Sequence, residues 1–191
     1  MKETICAYGE DVIRLCRTLD IDGVEKAAEL LLEAYRAKKK IFVAGNGGSA
    51  GTANHFSCDF SKNAVKSDTA RPKVISLSAN IEVVTALGND YCYEEIFVQQ
   101  LKNLMDDGDV IILISAGGNS GNVVRAAEYV RSRKGKVIGM TGFSGGKLKD
   151  LSDISLHIPC DSYERTEDMH MIIAHMLVCC FKSLRLGEAD S

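Results

Sequence analysis

Short apolar runs alternate with stretches of helical periodicity along this chain. The runs begin near residues 41, 73, 110, 136 and 154, and each ends in polar or glycine-rich sequence. The run over 110–114 is entirely apolar, as expected for a strand that is buried on both faces of a parallel sheet. The alternation predicts an α/β protein, a three-layer sandwich in which helices cover both faces of a five-stranded, mostly parallel sheet.

Helices are predicted at both ends of the chain. Two precede the first strand, over 3–18 and 24–36, and a long apolar helix runs from 164 to about 184. No linker divides the sequence, so we expect one compact unit with a helical arm over 1–39 and the sheet-containing domain over 40–191. The arm carries more apolar surface than the sheet needs, which predicts packing between subunits.

Composition narrows the class of protein. The chain has 191 residues, of which 46% are hydrophobic, enough for one core. A net charge of −3 argues against a nucleic-acid-binding surface. We see no membrane-spanning run and no signal peptide, and seven cysteines without CxxC spacing are typical of reduced thiols. We therefore expect a cytoplasmic protein that binds neither nucleic acid nor membrane.

A glycine-rich turn follows the first predicted strand. Residues 45–49 read Gly-Asn-Gly-Gly-Ser and lead directly into a predicted helix. Glycines let a ligand approach the main chain, and the N–H groups that open a helix carry partial positive charge, so a phosphate or sugar oxygen is the expected ligand. His55 and Asp59 follow on one face of this helix, at a spacing suited to proton transfer or metal binding.

Two nucleotide-binding motifs fit this sequence poorly. Gly45-x-Gly47-x-x-Ala50 matches the dinucleotide fingerprint, but that motif needs an acidic residue after the second strand, where residues 78–80 read Ser-Ala-Asn. Residues 142–147 are one residue too short for a P-loop and are followed by leucine. These mismatches argue against nucleotide binding.

A second loop of the same kind follows the apolar run at 110–114. Residues 115–122 read Ser-Ala-Gly-Gly-Asn-Ser-Gly-Asn, and helical periodicity resumes over 123–133. A third unit of strand, loop and short helix occupies 136–151. The carboxyl ends of parallel strands meet at one edge of a sheet, so the first two loops can hold one ligand between them.

Together these motifs resemble the sugar isomerase (SIS) domain. The motifs are the 45–49 loop with His55-Phe56, then Gly88-Asn89-Asp90, then Ser115-x-x-Gly118-Asn119-Ser120, then Thr141-Gly142 before Gly145-Gly146-Lys147. Within that superfamily the chain most resembles the phosphoheptose isomerases, which interconvert sedoheptulose 7-phosphate and a heptopyranose 7-phosphate. The resemblance implies an SIS-type fold, an isomerase of carbohydrate metabolism and a homotetramer with active sites completed at an interface.

The resemblance also implies roles for individual residues. In the family, four side chains from the helix after the first loop and from the last helix surround the sugar carbonyl, and in several members they hold zinc. At the matching positions this chain has His55, Asp59, Glu167 and His175, which would bind zinc or another divalent metal. Asp59 would then be the catalytic base and His175 its partner acid or base. The residues expected to hold the substrate are Asn46, Gly47, Gly48, Ser49, Asn89, Asp90 and Glu167, with Ser115, Ala116, Gly117 and Ser120 at the phosphate.

The chain departs from the family pattern at some of these positions. Asp59 stands where the family has glutamate, and Glu167 stands where it has glutamine. Two imidazoles and two carboxylates suit zinc, but an Asp59 that binds metal tightly cannot also be a free base, and the sequence leaves both roles open. The loop over 115–120 lacks two hydroxyls that phosphoheptose isomerases commonly carry, which leaves open a substrate with a different end group.

A second class of function is a non-catalytic SIS module that binds a sugar phosphate or a partner protein. The retention of His55, Asp59 and His175 favours the enzyme. His157 and His170 are predicted to be hydrogen-bonded core residues. The segments 63–71 and 187–191 are predicted to be mobile.

Overall fold

The computed structural model describes residues 1–64 and 71–184. At its centre is a sheet of five strands, which are β1 (Lys40–Gly45), β2 (Lys73–Ser76), β3 (Val110–Ser115), β4 (Lys136–Thr141) and β5 (Ile154–His157). The strand order is β2-β1-β3-β4-β5, and every adjacent pair is parallel. The five predicted strands are confirmed, and the described sheet is wholly parallel.

Helices connect the strands and flank them at both chain ends. They are α1 (Lys2–Arg17), α2 (Ile21–Arg36), α3 (Gly48–Asn63), α4 (Ile81–Asp90), α5 (Ile96–Leu104), α6 (Gly121–Ser132), α7 (Gly146–Leu151) and α8 (Tyr163–Ser183). A single 3₁₀ turn, Tyr93–Glu95, joins α4 to α5. Both N-terminal helices and the long last helix lie where the sequence predicts them.

Side chains that alternate along each strand divide the core into two layers. Ile41 and Val43 of β1 pack with α1, α2, α3 and α8, whereas Phe42 and Ala44 pack with α5, α6 and α7. The alternation follows from the strand geometry, in which successive side chains point to opposite faces. The predicted three-layer α/β sandwich is confirmed.

The two N-terminal helices differ in how far they are buried. Asp20 caps the N-terminus of helix α2, since its carboxylate accepts a hydrogen bond from the Gly23 amide. The helix buries Val24, Ala27, Leu31 and Ala34 in the core shared with β1. Helix α1 buries Leu15 alone among its residues. The predicted boundary at residue 39 lies between α2 and β1 and stays a prediction.

Polar contacts fasten α1 to the last helix. The Tyr8 hydroxyl donates to Asp168 at 2.6 Å, and Arg165 Nε lies 2.9 Å from Asp11. The hydrogen bond to Asp168 raises the pKa of Tyr8 to about 12. These contacts hold α1 against α8.

Parts of the chain lie outside the described residues. The segments predicted to be mobile fall largely on 65–70 and 187–191, which are not described. Over the described ranges, every helix is too short or too polar to cross a membrane.

Candidate functional site

The loops after β1 and β3 meet at the carboxyl edge of the sheet. β1 and β3 are neighbouring strands, but the helices that follow them, α3 and α6, pack on opposite faces of the sheet. The two loops therefore separate and leave a crevice between them. The side-chain amides of Asn46 and Asn122 bridge the crevice through two reciprocal hydrogen bonds of 2.9 Å. The prediction that the two loops lie together is confirmed.

The first loop needs glycine at the start of α3. Gly47 has a φ of +54°, a left-handed conformation that side chains disfavour. A Cβ on Gly48 would collide with the carboxylate of Glu167, which lies against this helix start. A carboxylate at a helix N-terminus is favourable because the peptide dipoles leave partial positive charge there.

The second loop is held by its own serines and by the loop after β4. Ser115 Oγ accepts a hydrogen bond from the Gly118 amide at 3.2 Å and lies 3.3 Å from Ser120 Oγ. From the β4 side, the Gly142 amide donates to the Ala116 carbonyl at 2.7 Å. These bonds fix the backbone of the loop before any ligand binds, as anion recognition by main-chain amides requires.

A cavity of about 550 Å³ lies between the loops. This size is within the range of small-molecule sites. Its described lining residues are Asn46, Ser49, Ile114, Ser115, Ala116, Gly117, Asn119, Ser120, Tyr163 and Glu167. The structure therefore brings together most residues that were predicted to hold the substrate, including all four expected at the phosphate.

Three of the four predicted metal ligands form a cluster between α3 and α8. His55 Nε2 lies 2.9 Å from His175 Nε2 and 3.3 Å from Asp59 Oδ2, and His175 Nε2 lies 3.9 Å from the same oxygen. All three donor atoms lie within 4.8 Å of one another. Donors about 2.0–2.2 Å from a shared zinc ion would have similar mutual separations, so the three residues fit a divalent metal.

Glu167, the fourth predicted ligand, lies outside this cluster. Its carboxylate contacts Gly48, whereas His175, two turns further along α8, contacts His55. Helices α3 and α8 therefore run in the same direction, and the cluster lies roughly 10 Å along α3 from the glycine loop. Coordination of a metal by Glu167 stays a prediction.

Asn89 and Asp90 lie away from the described lining of the cavity. Both are exposed at the end of α4, where Asn89 Nδ2 donates to Asp90 Oδ1 at 2.9 Å. Their predicted contact with sugar hydroxyls stays a prediction.

The sequence reasoning missed two side chains that support Asn46. Asn46 Oδ1 accepts hydrogen bonds from Asn122 and from the Tyr93 hydroxyl, each at 2.9 Å. Asn122 is the last residue of the glycine-rich stretch 115–122, so its position in the chain was a usable signal. Tyr93 is 47 residues from Asn46 and carries no local signal of this contact.

Two histidines lie near the site without joining it. His170 is fully buried, as predicted, but neither ring nitrogen has a partner in hydrogen-bond geometry among the described residues, so the prediction that it is hydrogen-bonded is wrong. Burial lowers its pKa to about 4. His157 is half-buried, and its Nδ1 lies 3.1 Å from the Thr141 hydroxyl. Burial also lowers the pKa of His157. Both rings are therefore neutral near pH 7, which suits a structural position.

Comparison with known proteins agrees with this geometry. The SIS domain family matches residues 7–142. The phosphoheptose isomerase of Helicobacter pylori is 37% identical over 161 residues, which span 84% of this chain and 83% of that protein.

Solved structures of phosphoheptose isomerases share the whole fold. That from Neisseria gonorrhoeae has a TM-score of 0.86 at 31% identity, covering 95% of this chain and 98% of its own. That from Francisella tularensis has a TM-score of 0.87 at 28% identity, covering 95% and 97%. The chain belongs to the SIS domain family and, within it, to the phosphoheptose isomerases.

Proposed function

We propose that this chain is an aldose–ketose isomerase that interconverts sedoheptulose 7-phosphate and a heptopyranose 7-phosphate. The observation that carries the proposal is that α3 begins at the cavity between the two loops and carries His55 and Asp59, which cluster with His175 roughly 10 Å further along the helix. A phosphate held at one end of an extended sugar would leave the reacting carbons toward the other end. The retained acid–base residues favour an enzyme over a sugar-phosphate-binding module.

The reaction moves a proton between C1 and C2 of the sugar through an enediol. Such a transfer needs a base, an acid and stabilisation of the developing oxyanion. Asp59 is the proposed base, and its carboxylate is oriented by Asn63 Nδ2, which donates to Asp59 Oδ1 at 3.3 Å. His175 is the proposed partner, and its imidazole faces the same carboxylate.

The loops supply binding and orientation. Ser115, Ala116, Gly117 and Ser120 would hold the phosphate through hydroxyls and main-chain amides. Asn46, Gly47, Gly48 and Ser49, with Glu167, would hold sugar hydroxyls at the start of α3, and Asn89 and Asp90 are proposed to contribute from α4.

A divalent metal, zinc in our proposal, would be held by His55, Asp59 and His175, with Glu167 as a candidate fourth ligand. When bound, it would supply positive charge that polarises the sugar carbonyl. The three side chains are 46%, 27% and 50% exposed, so the cluster is open to a substrate as well as to an ion. Asp59 either ligates the metal or acts as a free base, and metal analysis separates these roles.

We also propose a cytoplasmic homotetramer in which the arm over 1–39 packs between subunits and helps to complete the active sites. Ile5 and Ile13 on α1 are 72% and 54% exposed, an apolar surface that a second subunit would cover. All seven cysteines are free thiols, which supports a reducing compartment.

The function is tested by turnover together with metal content. Purified protein should convert sedoheptulose 7-phosphate to an aldose phosphate and should contain close to one divalent ion per chain. Removal of the ion by a chelator, followed by re-addition of zinc, separates a catalytic ion from an adventitious one. Binding of the sugar phosphate without any turnover would instead support the non-catalytic module.

A further inference from the structure

One aromatic ring lies in an otherwise polar and aliphatic cavity. Tyr163, the first residue of α8, lines the cavity between the loops and is 61% exposed. It is the sole aromatic residue in the described lining. A ring this exposed contributes little to the core, so core packing does not account for its place in the cavity wall.

A second aromatic residue contacts Tyr163. The rings of Phe143 and Tyr163 have centroids 4.8 Å apart and planes inclined by 53°. The Phe143 amide donates to the Cys160 carbonyl at 3.0 Å, which ties the loop after β4 to the segment that leads into α8. The hydrogen bond and the ring contact together hold Phe143 beside Tyr163.

Phe143 holds this position in a strained conformation. Its φ of +47° lies in the left-handed region, which bulky side chains rarely adopt. Gly142, Gly145 and Gly146 surround it in the same loop, so the chain uses glycine at neighbouring positions but an aromatic residue at this one. Lys38 and Lys134 share the left-handed conformation at φ +58°, but each lies two residues after the last residue of a helix, where such residues commonly occur.

We propose that Tyr163 is a specificity-determining residue that stacks on the apolar face of a pyranose ring, and that Phe143 is a positioning residue for Tyr163. A pyranose presents several C–H groups on one face, and the electron-rich face of an aromatic ring attracts them in addition to excluding water. An open-chain sugar phosphate has no such face. The inference deepens the proposed function, on which it rests for the substrate class.

The position of Tyr163 agrees with a ligand whose phosphate is held by the second loop. Ser115, Ser120 and Tyr163 line the same cavity, and Glu167, one turn along α8 from Tyr163, lines it as well. A cyclic sugar phosphate anchored at the serines would therefore have its ring beside Tyr163. Stacking on Tyr163 would favour capture of the cyclic sugar, the form in which the heptopyranose phosphate exists.

Two non-reacting ligands with the same number of carbon atoms, one cyclic and one open-chain, test the inference by binding alone. The first is 1,5-anhydroheptitol 7-phosphate, whose ring cannot open, and the second is the open-chain heptitol 7-phosphate. By titration calorimetry, Tyr163→Leu should weaken the ring ligand by about tenfold and the open-chain ligand by less than about threefold. Tyr163→Phe should bind both like the native protein, because stacking needs the ring and not the hydroxyl.

Phe143 is tested by a matched pair of substitutions. Phe143→Asn removes the ring but tolerates the left-handed conformation, and it should weaken the ring ligand selectively, by a factor of about three to ten. Phe143→Tyr should restore native binding. Lys134→Asn, at the same kind of backbone conformation remote from the cavity, should leave both ligands unchanged.

The outcomes separate this inference from the proposed function. Equal weakening of both ligands by Tyr163→Leu, no weakening of either, or failure of the native protein to bind the ring ligand would overturn the stacking role. Ring binding that depends on Tyr163, in a protein that does not turn over sedoheptulose 7-phosphate, would leave the inference standing while the isomerase proposal fails.

Discussion

His55 and His175 hold their Nε2 atoms 2.9 Å apart although 120 residues separate them in the chain. Their rings meet edge to face, with centroids 5.1 Å apart, and Asp59 Oδ2 lies beside both. Two imidazole nitrogens and one carboxylate oxygen that converge in this way suit a shared divalent cation. The convergence requires α3 and α8 to pack side by side in one register.

Replacement of the proposed base should affect chemistry more than binding. Asp59→Asn removes a proton acceptor with little change in volume, so turnover should fall by at least about a hundredfold. Binding of substrate should stay within about tenfold of the native value. Steady-state kinetics and calorimetry measure the two effects, and Cys58→Ser, an exposed neighbour on α3, is the control. Near-native turnover in Asp59→Asn would place the base elsewhere.

Truncation of His175 should lower turnover and metal content together. His175→Ala removes one of three clustered donors, so the affinity for zinc should fall by about tenfold or more. Metal per chain is measured by elemental analysis after dialysis at a fixed free zinc concentration. His157→Gln, whose ring lies outside the cluster, should retain the metal. Full metal content in His175→Ala would contradict its role as a ligand.

Loss of the Ser120 hydroxyl should raise KM. Ser120 Oγ lies 3.3 Å from Ser115 Oγ in the wall of the cavity, and one neutral hydrogen bond contributes about 1 kcal/mol. Because the phosphate is held alike in the ground and transition states, Ser120→Ala should raise KM about fivefold and leave kcat within about twofold. Ser144→Ala, on the exposed loop after β4, should change neither constant. A fall in kcat at constant KM would show that Ser120 acts on the reacting end.

Acid should destabilise the fold through His170. Burial lowers the pKa of His170 to about 4 from 6.5 in the unfolded chain, while the Thr141 backbone opposes the shift and His157 adds to it. Below pH 6.5 the unfolded chain takes up a proton that the folded protein does not, so the free energy of unfolding falls as the pH drops from 6.5 toward 4. The loss over this range totals roughly 3 kcal/mol.

Thermal or urea unfolding as a function of pH tests this contribution. Between pH 6.5 and 4.5 the native protein should lose stability that His170→Leu does not lose. Carboxylates such as Glu95 titrate below this window, because hydrogen bonding, chiefly from Gln99, lowers the pKa of Glu95. Parallel curves for the two proteins would contradict a buried, neutral His170.

The exposed face of α1 should control assembly. Ile5 and Ile13 lie on that face, so Ile5→Glu combined with Ile13→Glu should reduce the proposed tetramer to smaller species. Light scattering at micromolar concentration measures the mass. Ile81→Glu, at an equally exposed isoleucine on α4, is the matched control and should leave the mass unchanged. A monomeric native protein would contradict the proposed assembly.

Local sequence was sufficient to predict the architecture. The five strands and the two glycine-rich loops were predictable because buried strands need continuous apolar runs and tight turns need glycine. The two N-terminal helices and the last helix were predictable from apolar residues at helical spacing. The adjacency of the loops followed as well, since parallel strands bring their carboxyl ends to one edge. His55 and Asp59 could be paired from a spacing of four residues on one helix.

Tertiary structure decided which of these groups meet. The register of α3 against α8 brings His175 to His55 and places the Glu167 carboxylate against Gly48 instead of in the cluster of His55, Asp59 and His175. Packing also brings the Tyr93 hydroxyl to Asn46, and it leaves Asn89 and Asp90 outside the described cavity lining. Such contacts depend on the relative translation and rotation of the packed helices, which the packing of the whole core determines. Periodicity along the chain indicates only which face of each element is buried.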